Sequence, residues 1–219
     1  MNKQAIVIAS AVGLVLAFLI GAMAYKGDKA EETAAKAFEN ADVMIRADSH
    51  TVGPDNAKVV IVEFLDPGCE TCAVFYTPVK QIMAANPDKI KLVIRYAPFH
   101  QGSDIMVKML MAASNQDKYW QVLEMMFATQ SAWASHHHPE PEKVWEFLPK
   151  TGVDVERLRA DMARPEADAF VKQEIADCVT LDVKKTPTFF VNGRPLPAFG
   201  LQQLVDLVDS EIALNYPAQ

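Results

Sequence analysis

Cysteine is scarce: three residues in a chain of 219, too few for a scaffold stapled by several disulfides. Glycine is sparing at nine, and neither it nor the thirteen prolines cluster, which excludes collagen-like and low-complexity chains. No period of roughly 20 to 50 residues recurs, so solenoid and propeller arrays fall away as well. Long blocks of one charge are also missing, and acids outnumber bases 28 to 21, for a net charge of -7. Nucleic acid is therefore not an expected partner. Half of the residues are apolar, enough for one substantial core but short of two full catalytic domains.

One stretch lacks charge altogether, from Gln4 to Tyr25, and Ala5 to Ala24 is almost wholly apolar. Twenty residues at 1.5 Å each make a helix of about 30 Å, the thickness of a bilayer's hydrocarbon core. Ala22-Met23-Ala24 has the small-x-small form of a signal-peptidase site, while the length of the run favours an uncleaved anchor. Residues 1–25 thus read as a signal anchor or a signal peptide. Either reading exports the remainder to the periplasmic or extracytoplasmic side, with residues 5–24 as its anchor. Lys3 favours a cytoplasmic N-terminus, although Lys26 and Lys29 on the far side blunt that bias.

Residues 26–55 are polar and alanine-rich, and Ala34, Phe38, Ala41 and Ile45 fall on one helical face. This segment is expected to be a helical stalk ending at His50-Thr-Val-Gly-Pro54. The stripe lasts under two heptads, so a dimerising seam is not assigned; packing on its own domain, or spacing that domain from a membrane, explains it equally.

The folded domain is expected over residues 56–219. Lys58 to Leu65 is a β-branched strand followed by the breakers Asp66-Pro67-Gly68, and Cys69-Glu-Thr-Cys72 then opens a helix that continues past Pro78 to Ala85. Lys89 to Ala97 reads as a second strand, which gives β-α-β and hence parallel strands. Helical periodicity over 104–115, 118–130, 140–148, 153–163 and 167–181 makes a helical insertion of about residues 101–182. Thr186 to Gly193 is a strand and turn, Arg194 to Pro197 a short return strand, and Leu201 to Leu214 an amphipathic last helix. The fold class is α/β.

A thiolate at a helix N-terminus meets unsatisfied N–H groups and the positive end of the helix dipole, so Cys69 should have a lowered pKa and act as nucleophile. Cys72, one turn later, can attack a mixed disulfide on Cys69, release the substrate and close the Cys69–Cys72 bond. A zinc site would need two further ligands, and no second cysteine pair or spaced histidine pair exists. A purely structural disulfide here would close too small a loop to stabilise much.

Glu63 six residues before Cys69, Cys-x-x-Cys at the start of a helix, and Thr186-Pro187 leading Thr-Phe-Phe-Val-Asn-Gly together resemble the DsbA-like branch of thioredoxin-fold thiol:disulfide oxidoreductases. Arg95-Tyr-Ala-Pro-Phe-His100 and Lys118-Tyr-Trp-Gln121 are similar to further segments of that family, and the resemblance covers about residues 56–216. It implies a thioredoxin fold and a cis-proline loop at Pro187 facing the cysteines, with Thr186 backbone groups free to pair with an extended substrate. It also implies a buried Glu63 beneath the pair, able to relay the Cys72 proton; read from the strand alone, Glu63 could equally reach solvent.

Glu70-Thr71 departs from the Pro-His of strong DsbA oxidases and from the Gly-Pro of thioredoxins. Negative charge at Glu70 disfavours the Cys69 thiolate, and Thr186 before the proline is similar to isomerases and reductases. A weaker oxidant than DsbA is expected, with Glu70 and Thr71 as tuning residues.

Cys178 reads as a small buried apolar residue, His136 to His138 as an exposed loop rather than a metal site, and Met106, Met109 and Met111 as core. No cofactor and no metal are expected. The expected activity is disulfide exchange with exported protein thiols and disulfides, recycled by a membrane redox partner. The alternative is a substrate-binding or chaperone module of the same fold.

Overall fold

A computed structural model of the chain describes residues 11–22, 24–25, 35, 39–135 and 138–217. Residues 11–22 and 24–25 are helical. Among the described residues no helix is long and apolar enough to cross a membrane. The anchor expected over 5–24 lies partly outside them, as do Ala34 and Phe38 of the stalk stripe and His136 and His137.

In chain order the elements are α1 (Ala41–Met44), β1 (His50–Val52), β2 (Val59–Leu65), α2 (Glu70–Ala85) and β3 (Ile90–Tyr96), then the insertion. The insertion holds α3 (Ser103–Ser114), α4 (Tyr119–Ala128), α5 (Gln130–Trp133), a small hairpin of β4 (Ala134–Ser135) and β5 (His138–Pro139), α6 (Pro141–Val144), a 3-10 turn at Leu148–Thr151, α7 (Val155–Met162) and α8 (Pro165–Thr180). β6 (Thr188–Val191), β7 (Arg194–Pro195) and α9 (Leu201–Asn215) close the chain.

The five-stranded sheet has the order β1-β3-β2-β6-β7. β2 and β3 run parallel, as the β-α-β reading requires, and the other pairings are antiparallel. The turn from β6 to β7 is Asn192-Gly193, both at positive φ (49° and 77°), the backbone that closes a two-residue hairpin without splaying its strands. The Asn192 amide accepts from Val60 N–H and donates to Lys58 C=O and Glu211, tying the turn to β2 and α9.

Strand alternation divides the interior in two. Ile61 and Leu65 of β2, Leu92, Ile94 and Tyr96 of β3, and Phe189 and Val191 of β6 face one core with α2, α9 and the insertion; Cys69 and Cys72 belong to it. Val62, Phe64, Val93 and Phe190 face a second core with Met44, Cys178 and Leu181. Cys178 is buried there, its thiol donating to Tyr96 C=O at 3.3 Å, and Met106 and Met109 are fully buried in the first core.

Several expectations need correction. The sheet starts at His50, inside the segment assigned to the stalk, because β1 pairs antiparallel with the free edge of β3. Of the readings left open for this segment, residues 43–46 take the packed one, with Met44 buried; Ile45 is extended (φ -128°, ψ 110°), so Ala41 and Ile45 do not share the expected helical stripe. The fully buried Arg95 holds this segment, donating to the carbonyls of Val43 and Met44 (3.0 Å to the latter), to Glu174 and to Asp177, which also binds Arg46. A buried guanidinium persists only when its donors are matched in this way. The helix expected over 118–130 is broken at Thr129, whose hydroxyl turns back onto Met125 C=O. The one expected over 140–148 shortens to α6 before the 3-10 turn at Pro149.

Candidate active site

Topology gathers the site at the C-terminal ends of β2 and β3, where open α/β sheets place their functional loops. Parallel register sets Leu65 beside Tyr96, and the pairing continues with Ala97 N–H on Leu65 C=O at 2.8 Å, so the loop after β3 lies beside the loop after β2. Antiparallel register sets Phe64 against Thr188, which carries Thr186-Pro187 to the same end. The Thr186–Pro187 peptide is cis, and the Cys69 thiol donates to Thr186 C=O at 3.4 Å. Residues 117 positions apart thus meet at the first cysteine.

Cys69 is the N-cap residue of α2, with extended backbone (φ -81°, ψ 117°), and no side chain caps the helix there. The Cys69 thiol is lowered from its ordinary value to about 5. The main cause is the hydrogen bond from the Cys72 side chain; burial opposes it, and the Thr186 side chain and the N–H groups of Cys72 and Thr71 add to it. Thr71 therefore acts through its backbone, and Glu70 sits half-buried in the first turn.

Cys72 goes the other way. Burial pushes its thiol well above the ordinary value, and the hydrogen bond to Cys69 and the charges of Cys69 and Glu63 push the same way; the Asp66 N–H, 3.5 Å from its sulfur, opposes. The two sulfurs are unbridged. One turn of helix thus carries an acidic outer thiol, 6% exposed, and a proton-retaining inner one with no exposure, the asymmetry required of an attacking and a resolving sulfur.

Glu63 is buried, 3% exposed, on the face of β2 shared by Ile61 and Leu65, so the strand-end reading with its carboxyl in solvent is set aside. Burial, then the charge on Cys69, raises its pKa to about 8. It borders a cavity of about 420 Å³ walled by Val79, Met83, Leu92, Ile94 and Trp120, with Lys80 and Glu124 also lining it.

Three site residues carry no mark in the sequence. Asp66, fully buried, accepts from the N–H groups of Gly68, Phe99 and His100 and from the His100 ring. Gln130 Nε2 donates to Pro67 C=O and Cys69 C=O at 2.9 and 3.0 Å. Gly68 lies so close to the insertion that a Cβ there would meet Pro139 at 2.7 Å and Ser103 at 2.8 Å. Asp66 reads as a turn former in Asp-Pro-Gly, and only its position between two β-strand ends shows otherwise. Among the described residues no cluster of His, Cys, Asp or Glu could hold a metal.

Two measurements test this geometry. In the reduced protein, iodoacetamide should modify Cys69 with a rate rising through a midpoint near pH 5 and flat by about pH 7, while buried Cys72 and Cys178 stay unreacted until unfolding. For Glu63, the folded pKa near 8 exceeds the ordinary 4.5, so the chain is destabilised progressively as pH rises from about 4.5 to 8. Glu63→Gln removes that cost, and denaturant unfolding should show a gain on the order of 4 kcal/mol at pH 8 that vanishes near pH 4.

A family model described as Thioredoxin matches residues 46–210. Solved structures of similar fold include a thioredoxin-like oxidoreductase from Silicibacter pomeroyi, 28% identical, covering 77% of this chain and 95% of that one with a TM-score of 0.66. The thiol-disulfide exchange protein alpha-DsbA2 of Wolbachia pipientis is 21% identical, covering 84% and 97%, at 0.67. A linker-deletion variant of Proteus mirabilis ScsC is 17% identical, covering 98% of both chains, at 0.72. Among curated proteins, a Na(+)/H(+) antiporter NhaA of Herminiimonas arsenicoxydans is 33% identical over 147 residues, which are 67% of this chain and 23% of the antiporter, so the chain spans about a quarter of that relative. The family model, which matches residues 46–210 and so spans the cysteine pair and the cis-proline loop, shows that the chain belongs to the thioredoxin family.

Proposed function

We propose that the chain exchanges disulfides with exported protein substrates through Cys69 and Cys72, at the periplasmic face of a membrane to which residues 5–24 tether it. The observation that carries this reading is the opposite perturbation of two thiols one helical turn apart. A Cys69 thiolate at neutral pH attacks a substrate disulfide, and Cys72 displaces the captured sulfur; in the oxidising direction a substrate thiolate attacks Cys69 and Cys72 leaves. Glu63, with a pKa near 8, is matched to take the proton Cys72 must shed and return it. Thr186, beside Cys69, offers its backbone to an extended substrate, giving affinity with little sequence preference.

The apolar run at 5–24 supports export and tethering, and a membrane redox partner would return the pair to its working state. Glu70 and Thr71 between the cysteines support a pair less oxidising than that of DsbA.

Trapping tests the exchange. Cys72→Ala should accumulate mixed disulfides between Cys69 and protein partners, seen on non-reducing gels and identified by mass spectrometry, while Cys69→Ala should abolish them. Retention of cellular phenotype and of holdase activity by Cys69→Ala would favour the chaperone reading. Equilibration with glutathione should place the potential below the ~-120 mV of DsbA; a value close to it removes the assigned role of Glu70 and Thr71.

A further inference from the structure

The exchange reading gives roles to Cys69, Cys72, Glu63 and the Thr186-Pro187 loop and leaves Asp66 without one. Asp66 follows β2 directly and is fully buried, a place where a carboxyl is retained only with its hydrogen bonds satisfied. Its backbone touches both cysteines: its N–H donates to Cys72 Sγ at 3.5 Å, and its C=O accepts from Cys69 N–H at 3.0 Å. Its carboxyl faces outward to the neighbouring loops. Oδ1 accepts from Gly68 N–H at 2.8 Å; Oδ2 accepts from the N–H groups of Phe99 and His100 at 2.8 and 2.9 Å and lies 2.7 Å from His100 Nδ1.

Backbone N–H groups can only donate, so both oxygens are required as acceptors. An amide in this place would turn its NH2 toward a backbone donor whichever way it was rotated. The side chain therefore fixes the turn 66–68 against the loop 97–100, and the turn fixes where its own N–H points.

We propose that Asp66, together with His100, is a positioning residue for Cys72: the carboxyl holds the turn so that the Asp66 N–H stays on the resolving sulfur. This deepens the exchange reading and rests on it. In resolution, deprotonated Cys72 attacks Cys69 Sγ of a mixed disulfide. The bond from Cys69 to the substrate sulfur breaks with its electron pair on the substrate, the Cys69–Cys72 bond forms, and the proton shed by Cys72 ends on the released thiolate. The substrate disulfide is the oxidant. In the reverse direction Cys72 departs as the anion. Both directions gather negative charge on one sulfur, and a donor already fixed there lowers the barrier without reorganising, as oxyanion-hole donors do. The Asp66 N–H meets the sulfur of Cys72 and not that of Cys69, so the effect falls chiefly on the step in which Cys72 carries the charge.

The test separates the steps. The reduced full-length chain is mixed with oxidised glutathione, quenched with acid at intervals and read by mass spectrometry. Asp66→Asn should lengthen the life of the Cys69–glutathione adduct about tenfold while slowing adduct formation less than about twofold. Formation and resolution slowed by one common factor would mark general loosening of the fold and overturn the assignment, as would an unchanged lifetime. His100→Ala keeps Asp66 and its three backbone donors and removes only the ring, so about a threefold longer lifetime is expected. It decides the matter if Asp66→Asn does not fold, an unchanged lifetime then overturning the assignment. If the unaltered chain forms no adduct at Cys69, the exchange reading and this inference fall together; adducts of unchanged lifetime in the variants remove this inference alone.

Discussion

The closeness of two sulfurs one turn apart at the mouth of α2, at unequal depth, is the constraint on which the site depends. The neighbouring Cys72 side chain is the largest influence lowering the Cys69 thiol, while burial first, and then the contact with Cys69, raises Cys72. Two thiols in equal surroundings would share a pKa near the ordinary value and neither would be set apart for attack. Burial enlarges the difference because Cys72 lies deeper than Cys69 and loses more by ionising. Glu63 beneath them adds to the same end, its own pKa raised by burial first and then by the charge on Cys69.

Such a contact survives only if the backbone around it cannot drift. The turn between β2 and α2 carries neither regular structure nor a side-chain cap, yet it is bound from three directions. Asp66 ties it to the loop after β3, Gln130 reaches from the insertion to two of its carbonyls, and Gly68 lets Pro139 approach where any Cβ would collide. The insertion is thus part of the site as well as an addition to the fold. Thr186 closes the fourth side from the far end of the chain.

The opposite face of the sheet is held differently. Arg95 leaves β3 on the side away from the cysteines and meets two carboxylates and two backbone carbonyls, binding α8 and residues 43–44 to the sheet. Because breaking one arm of a buried charge network leaves the rest unmatched, this cluster makes the attachment of the N-terminal segment specific. Residues 43–46 are therefore joined to the domain on the side remote from the cysteine pair.

The strands β2, β3 and β6, the long helices α2, α3, α8 and α9, and the cysteine pair at a helix start were legible because each depends on local periodicity and breakers. β1, the β4–β5 hairpin and the break at Thr129 were not: β1 is three residues long, and its stability comes from the edge of β3 rather than from its own pattern. Glu63 could be placed on a side of its strand but not at a depth, since alternation sets direction while burial depends on what packs above. Gln130 was silent for the same reason, and Asp66 and His100 were legible only as a turn former and as the end of the segment 95–100. Sequence alone determined that a thiolate-favouring helix end carries Cys69 with Cys72 one turn on, a property of i to i+3 geometry. The tertiary structure alone decided the depth of each sulfur, the approach of Thr186 and the clamp at Asp66, because hydrogen bonds and desolvation between residues tens of positions apart exist only once the sheet has set its register.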